Sequence, residues 1–214
     1  MRLEDVREST NVEDRRGSRM TGGRAGGIGL GTIALALVAM YFGVDPAVVL
    51  NMGQGLQQNS QVESQPIPND DVEAKFVAKV LGSTESTWSK IFQNAGPQYP
   101  APTLVLFRGA TPTACGTGQS AMGPFYCPGD QKVYIDLAFY DEMKNRFNAP
   151  GDFAQAYVIA HEVGHHIQHL TGVSDKVQQA RQSARSEAQA NQYSVRLELQ
   201  ADCYAGVWAH HADG

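Results

Sequence analysis

Two histidines and a glutamate in the stretch VIAHEVGHHIQHLTG, residues 158–172, have the spacing of a zinc site. His161 and His165 are four residues apart, so on a helix their imidazoles lie one turn apart on the same face and can bind one ion. Glu162 lies between them, offset around the helix axis, where it can reach a water rather than the metal. Neutral imidazoles suit Zn²⁺, and a carboxylate beside the activated water can accept its proton. The pattern predicts His161 and His165 as zinc ligands and Glu162 as the general base.

The alternative is a chance helix with surface histidines, and the uncharged, proline-free surroundings of the motif disfavour it. His166 and His169 are not positioned with the first pair. We expect each to be a polar surface residue or a neighbour of the site rather than a ligand.

A third ligand is expected, because catalytic zinc usually binds three protein groups and keeps one position for water. The stretch ELQAD, residues 198–202, offers Glu198 as that ligand and Asp202, one turn later, as the acceptor of a hydrogen bond from a ligand histidine. Like charges at this spacing repel, and a cation between them compensates. An ordinary exposed acidic pair is the alternative reading, and Glu187 is a weaker substitute for the ligand.

The elements that must position these residues can be predicted from periodicity and turn residues. Apolar residues at helical spacing follow an Asp N-cap at residue 70 or 71 and predict a helix to about residue 92, with a break possible at Gly82. The runs TLVLF (103–107) and KVYIDLAFY (132–140) predict strands. The metal-binding motif lies on a predicted helix that begins at Asp152 and ends at Gly172. Two further helices are expected over residues 176–189 and from residue 191 onward.

Composition fits one globular domain with additional segments, because 42% of the 214 residues are hydrophobic and 18% are charged. The net charge of −5, without a basic stripe, predicts no nucleic-acid partner.

An uncharged stretch near the N-terminus predicts a membrane anchor. The stretch AGGIGLGTIALALVAMYFGV is 20 residues long, and a helix of about 20 residues spans the roughly 30 Å of a bilayer's hydrocarbon core. We assign the single transmembrane helix to residues 27–46; a cleaved signal peptide and a buried helix are the alternatives. Arginines cluster before this stretch, and the next basic residue is Lys75. The N-terminus is therefore expected in the cytoplasm and the folded domain outside the cell membrane.

These assignments divide the chain into four parts. Residues 1–26 are expected to be a disordered cytoplasmic tail, residues 27–46 the anchor, residues 47–70 a linker rich in Gln, Asn, Ser and Pro, and residues 71–214 the folded domain. Cys115 and Cys127 flank a loop that a disulfide could close in an oxidising compartment, although two free thiols are the alternative. Cys203 is expected in the core.

Four segments together resemble the YpfJ-like family of bacterial neutral zinc metallopeptidases: NVEDRRG (11–17), FGVDP (42–46), HEVGHHIQ and LELQADCYAGVWA. The resemblance implies an α+β, zincin-like metallopeptidase domain, with a small sheet packed on the active-site helices, behind the N-terminal anchor. It implies peptide-bond hydrolysis at a gluzincin-type site with His161, His165 and Glu198 on Zn²⁺ and Glu162 as the base. We expect a peptide or protein substrate, bound along KVYIDLAF as the edge strand of the sheet.

Two rival functions remain open from the sequence. The first is a membrane-tethered binding or scaffold protein with a structural or vestigial zinc site, which a fourth ligand such as His210 would indicate. The second is a zinc hydrolase that acts on cell-wall amide bonds. Members of the resembled family usually continue beyond WAHHADG, so a C-terminally truncated domain is expected. The group that stabilises the oxyanion is open among Tyr204, His210, His211 and a missing segment.

Overall fold

The computed structural model describes residues 3–17, 66–96, 98–146 and 151–212 of the protein. The protein divides into two compact units, residues 1–16 with 65–214 and residues 17–64. The elements of the described residues, in sequence order, are β1 (Val12–Asp14), α1 (Val72–Ala95), β2 (Thr103–Phe107), β3 (Ala110–Thr113), β4 (Gly116–Gln119), a 3₁₀ turn (Ser120–Met122), β5 (Phe125–Cys127), β6 (Lys132–Asp136), α2 (Ala138–Arg146), α3 (Asp152–Leu170), α4 (Val173–Gln182) and α5 (Glu187–Ala212).

The predicted anchor at residues 27–46 and the predicted linker up to residue 65 lie outside the described residues. Within the part of the protein that the structure describes, no helix has both the length and the apolar character needed to cross a membrane.

A four-stranded mixed sheet forms the centre of the fold, with strand order β1-β2-β6-β5. β1, β2 and β6 run parallel, and β5 runs antiparallel to β6. β2 and β6 are buried along nearly their whole length, as expected for apolar central strands covered by helices. Helices α1, α3 and α5 supply the other half of the core, which includes Trp88, Ile159 and Trp208. This arrangement confirms the predicted α+β class.

The N-terminal segment is part of this sheet, so the prediction that residues 1–26 are a disordered tail is wrong for residues 3–17. β1 pairs with β2 in parallel, with Val12 opposite Leu104 and Asp14 opposite Leu106. Backbone bonds extend the pairing, from Leu104 N to Asn11 O at 2.8 Å and from Arg15 N to Leu106 O at 2.8 Å.

The free edge next to the metal-binding helix belongs to β5, which corrects the prediction that KVYIDLAF is the edge. β6 lies between β2 and β5 and ends at Asp136, and α2 begins two residues later. The predicted strand is therefore too long at its C-terminal end. Val133, Tyr134 and Ile135 at the centre of β6 are fully buried, because the strand has a neighbour on each side and lies in the core.

The loop between β2 and β6 contains structure that the sequence did not predict, namely the β3–β4 hairpin and β5. A disulfide joins Cys115 to Cys127, with their Cα atoms 5.8 Å apart, and so ties the hairpin to the end of β5. Cys203 lies on α5 and is exposed, which is contrary to the expected core position.

Helix α1 is continuous through Gly82, so the sequence-based break does not occur. Asp71 caps it by accepting a hydrogen bond from Ala74 N at 2.9 Å. A Cβ atom at Gly82 would lie 2.3 Å from the carbonyl oxygen of Arg7. Glycine at this position lets the N-terminal segment cross directly over the helix.

Candidate metal centre

Helix α3 carries the predicted ligands on one face, as the four-residue spacing requires. The imidazole rings of His161 and His165 lie edge to face with centroids 4.9 Å apart. Both side chains are about one-fifth exposed, at 19% and 18%. The helix buries its other face through Ile159, Val163 and Ile167, which explains the uncharged residues around the motif.

Helix α5 brings Glu198 to the two histidines from a distant part of the sequence. Its Oε2 atom lies 3.2 Å from His161 Nε2 and 3.3 Å from His165 Nε2. The potential ligand atoms of these three residues all lie within 4.8 Å of one another. Two nitrogens and one carboxylate oxygen that converge on one point are a donor set suited to Zn²⁺. The site predicted from HExxH and ExxAD is therefore assembled by the fold.

Each ligand histidine has a second partner that fixes the orientation of its ring. His161 Nδ1 lies 2.8 Å from Asp202 Oδ1, and His165 Nδ1 lies 2.9 Å from Gln168 Oε1. Because both partners accept, each Nδ1 carries the proton in the neutral ring, and each Nε2 presents its lone pair to the centre. The second nitrogen of a metal-binding histidine normally has such a partner.

Gln168 was missed by sequence reasoning, although its position three residues after His165 on the helix is a usable signal. It is completely buried. Its amide nitrogen donates to Leu197 O at 2.7 Å and to Gln200 Oε1 at 3.1 Å. The side chain thus holds His165 and also anchors α5 one residue before Glu198.

A close crossing of two helices sets the distance between Glu198 and the histidines. An added Cβ at Gly164 would lie 2.9 Å from the carbonyl oxygen and 3.1 Å from the Cα of Ala201. Glycine in α3 facing alanine in α5 lets the two backbones approach closely, and Glu198 lies less than one turn from that contact.

Glu162 lies at the edge of this centre and is only 7% exposed. Burial raises the pKa of Glu162 above its usual value, while the neighbouring histidines and a backbone hydrogen bond from Tyr126 act in the opposite direction. The bond from Tyr126 links the carboxylate to β5. The predicted base therefore lies between the ligand pair and the free edge of the sheet.

Tyr157 is a further residue near the site that the sequence did not indicate. Its hydroxyl donates to Asp202 Oδ1 at 3.0 Å, so Asp202 accepts bonds from both Tyr157 and His161. By contrast, Tyr204 packs edge to face on Trp88, with ring centroids 5.5 Å apart. His210 and His211 are exposed near the end of α5.

The remaining histidines of α3 lie outside the ligand cluster. His166 is completely buried, with Nε2 2.7 Å from Pro100 O and Nδ1 3.0 Å from the Tyr126 hydroxyl. Since a carbonyl only accepts, Nε2 carries the proton and Tyr126 donates to Nδ1. His169 lies with its ring centroid 6.2 Å from that of Tyr126. His166 therefore attaches β5 to the helix.

Two cavities lie at the centre, and both are lined by His161 and Glu162. The smaller, of about 330 Å³, has a mostly apolar wall formed by Met122, Gly123, Pro124, Phe139, Tyr157 and Val158. The larger, of about 580 Å³, is lined by residues of β5 such as Phe125 and Tyr126 and by polar groups from α3, α4 and α5, among them Asp175, Gln178 and Glu198. Glu162 lines both cavities.

Comparison with known proteins places the chain in a family of zinc metallopeptidases. The model of a family described as "Putative neutral zinc metallopeptidase" matches residues 1–214. The chain is 51% identical over 221 aligned residues to the uncharacterized protein YpfJ of Escherichia coli K12, covering 98% of this chain and 75% of that protein. It is 38% identical over 183 residues to the uncharacterized protein Rv2575 of Mycobacterium tuberculosis H37Rv, covering 81% of this chain and 59% of that protein. No solved structure matches the chain.

Proposed function

Since the chain belongs to this family of neutral zinc metallopeptidases, we propose that it hydrolyses peptide bonds at a zinc centre formed by His161, His165 and Glu198. The observation that carries the proposal is the convergence of both Nε2 atoms on Glu198 Oε2, at 3.2 and 3.3 Å, with Glu162 beside them. Bound there, Zn²⁺ would supply Lewis-acid polarisation of water and of the scissile carbonyl.

In this mechanism Glu162 is the general base. Its carboxylate accepts a proton from water as the oxygen forms a bond to the carbonyl carbon of the substrate. When the C–N bond breaks, the same carboxyl group returns the proton to the leaving amine. The burial of Glu162 favours this proton transfer. Burial raises the pKa of the carboxyl group, and a carboxylate with a raised pKa is a stronger base towards water.

The residues around the ligands have an orienting role. Asp202 and Gln168 hold the two imidazoles through their Nδ1 atoms. Tyr157 shares Asp202 and so restricts the carboxylate to one orientation. Pre-oriented ligands reduce the reorganisation that metal binding and catalysis require.

A catalytic role is favoured over a purely structural zinc site. Structural zinc is normally closed by four protein ligands, whereas a catalytic site keeps one position open. Among the residues that the structure describes, no fourth His, Cys, Asp or Glu joins the cluster. The cavities of about 330 and 580 Å³ lie directly beside it.

We propose that the substrate is a peptide in extended conformation that adds to the free edge of β5, as in a zincin-like fold. Among the described residues, β5 pairs with β6 on one side and has no strand partner on the other. Its residue Tyr126 donates a backbone hydrogen bond to Glu162, so a strand added at this edge passes the general base.

The test compares the full-length protein with two variants, Glu162→Gln and Glu187→Gln. The first removes the base but no ligand, and we expect it to retain zinc by metal analysis while losing at least about 100-fold in kcat on a peptide library. The second neutralises an exposed carboxylate outside the ligand cluster and should behave as wild type. Zinc-dependent cleavage that survives in Glu162→Gln would refute the mechanism. Absence of cleavage in all three proteins would refute the proposed peptidase activity.

A further inference from the structure

The two cavities beside Glu162 differ in chemistry, and this difference predicts which peptide bonds are cut. We propose that the apolar cavity accepts a large aliphatic or aromatic side chain directly after the scissile bond, and that polar residues before the bond lie in the larger cleft. The inference rests on the proposed peptidase function and adds the substrate class.

The size and lining of the smaller cavity support a single apolar side chain. Its volume of about 330 Å³ lies at the lower end of the range for ligand pockets, which begins at about 300 Å³. Phe139 and Val158 form its sides, and Met122 lies at its mouth with 64% of its surface exposed. An exposed methionine of this kind gains from contact with an apolar ligand.

The direction of β5 assigns the cavity to one side of the bond. Residues 122–124, just before the strand, line the apolar cavity, whereas residues 124–126 and 128 line the polar cleft, so that Pro124 is shared by both. Antiparallel pairing is the more stable mode and already joins β5 to β6. A peptide antiparallel to β5 runs from the polar cleft to the apolar cavity, so the residue in the apolar cavity follows the cut bond.

The polar cleft predicts which side chains are preferred before the scissile bond. Away from the zinc ligands, Asp175 contributes a carboxylate to it, and Gln178 and Ser174 add hydrogen-bonding groups. Basic or polar side chains before the scissile bond suit this part of the lining, since an apolar side chain there would remove water from these groups without replacing its hydrogen bonds.

The experiment uses pairs of peptides that differ only in the residue after the cut, Leu against Ser. Wild-type protein should cleave the Leu peptide with a kcat/KM about 10-fold or more higher, since full burial of a leucine is worth roughly that factor. The uncleaving variant Glu162→Gln should bind the Leu peptide more tightly by a similar factor in a fluorescence titration. Met122→Glu, at an exposed position, should reduce both ratios to near one by weakening cleavage and binding of the Leu peptide.

The outcomes separate the two proposals. Cleavage that depends on Glu162 but shows no preference for Leu after the cut would overturn the proposed specificity. A preference for Leu before the cut would overturn it as well. Neither result would contradict the proposed peptidase activity. Binding without cleavage by wild type would refute the peptidase function itself. A Met122→Glu variant that keeps the full Leu preference would also overturn the assignment of the cavity.

A second inference comes independently from the N-terminal segment: we infer that residues 3–17 and the metal-binding helices lie on the same side of any membrane with which the protein associates. The two parts share one sheet through the pairing of β1 with β2. They belong to one compact unit, while the intervening residues 17–64 belong to another. A polypeptide that leaves a folded unit and returns to it crosses a membrane an even number of times.

A buried glutamate holds the two parts together. Glu85 of α1 is 3% exposed and accepts three hydrogen bonds from the N-terminal segment. Its donors are Arg7 Nη2 at 2.5 Å, Ser9 Oγ at 2.6 Å and Asn11 Nδ2 at 2.7 Å. Without this segment the carboxylate would be buried with none of these partners, which is strongly unfavourable.

A second group of ion pairs fixes the end of the segment. Arg16 binds Asp14 and Asp71, with Nη2–oxygen distances of 2.6 and 2.7 Å, and Lys132 binds Glu13 at 2.6 Å. The hydrogen bonds of Arg16 to these carboxylates raise its pKa, so it is charged at all relevant pH values. These contacts connect β1 both to the start of α1 and to β6.

The test labels cysteines on both parts of the full-length protein in intact bacterial spheroplasts with a membrane-impermeant maleimide. Cys203 is exposed and reports on the metal-binding domain. Glu8→Cys, at an exposed position, reports on the N-terminal segment. Combining it with Cys203→Ser removes the label on α5, so that labelling of the double variant is assigned to residue 8. We expect both cysteines to be labelled, or both to be protected until the spheroplasts are permeabilised. Labelling of one alone before permeabilisation, and of both afterwards, would overturn the inference.

Discussion

Gly164→Ala should weaken zinc binding without touching a ligand, because it acts on the distance between two helices. The added Cβ would lie 2.9 Å from Ala201 O and 3.1 Å from Ala201 Cα. Carbon contacts are most favourable at about 3.5 Å or more. Both opposing atoms belong to the backbone, so the contact is relieved only if α3 and α5 move apart by roughly 0.5 Å. Glu198 moves with α5.

The magnitude follows from two opposing effects. Replacing a helical glycine by alanine normally stabilises a protein by about 0.5–1 kcal/mol, while overpacking costs about 1–3 kcal/mol. We therefore expect the free energy of unfolding of the metal-free protein to fall by about 0–2 kcal/mol. A displacement of about 0.5 Å equals the largest deviation in ligand position that a preorganised site tolerates. Zinc affinity should fall about 10–100-fold, the loss that removal of an orienting partner typically causes.

The assay is competition for zinc against a chromophoric chelator, combined with urea unfolding of the metal-free protein. Gly206→Ala is the matched control, because Gly206 lies on α5 and a Cβ there meets no atom within 4 Å. It should raise the free energy of unfolding by about 0.5–1 kcal/mol and leave zinc affinity unchanged. If Gly164→Ala matched this control in both measurements, the close crossing would not set the ligand geometry.

Three further changes test other parts of the structure. Gln168→Met removes the acceptor at a ligand histidine and should lower zinc affinity at least about 10-fold in the same competition assay; unchanged affinity would contradict its role. His166→Ala should lower the free energy of unfolding by about 2–4 kcal/mol in urea with zinc stoichiometry retained, and loss of zinc would contradict its placement outside the site. Burial by itself raises the pKa of Asp136, but hydrogen bonds from Ser120 and two backbone N–H groups lower it below its ordinary value. Its contribution to stability is complete above about pH 4 and is lost as pH falls through the lower folded-state pKa. Urea titrations of Asp136→Asn between pH 5 and 2 should therefore show a weaker loss of stability than wild type, and an identical slope would count against this role.

The metal site could be predicted from sequence because its spacing rules are local. His161 and His165 fall on one helical face, and Glu198 and Asp202 fall on another, whatever the rest of the fold. The packing of those two faces joins residues that are distant in the sequence. It depends on small residues such as Gly164, whose spacing in the sequence follows no recognisable motif. Gln168 was missed for a related reason: its spacing from His165 indicates a shared helical face, but its burial depends on partners on another helix.

The strands at both edges of the sheet could not be predicted from sequence. β1 has three residues, two of them acidic, and its β conformation comes from pairing with β2 rather than from propensity. β5 also has three residues and lies in a loop rich in glycine and proline. By contrast, the apolar runs LVLF (104–107) in β2 and VYI (133–135) in β6 identify central strands directly.

The position of β1 has a consequence for synthesis of the protein on the ribosome. Val12 pairs with Leu104, and at about 5–20 residues per second the intervening segment takes roughly 5–20 s to produce. During that interval the polar, charged N-terminus has no strand to pair with, and Glu85 of α1 is made before β2. The first strand synthesised is thus among the last to be incorporated, so N-terminal fusions and chaperones compete with the sheet itself for this segment.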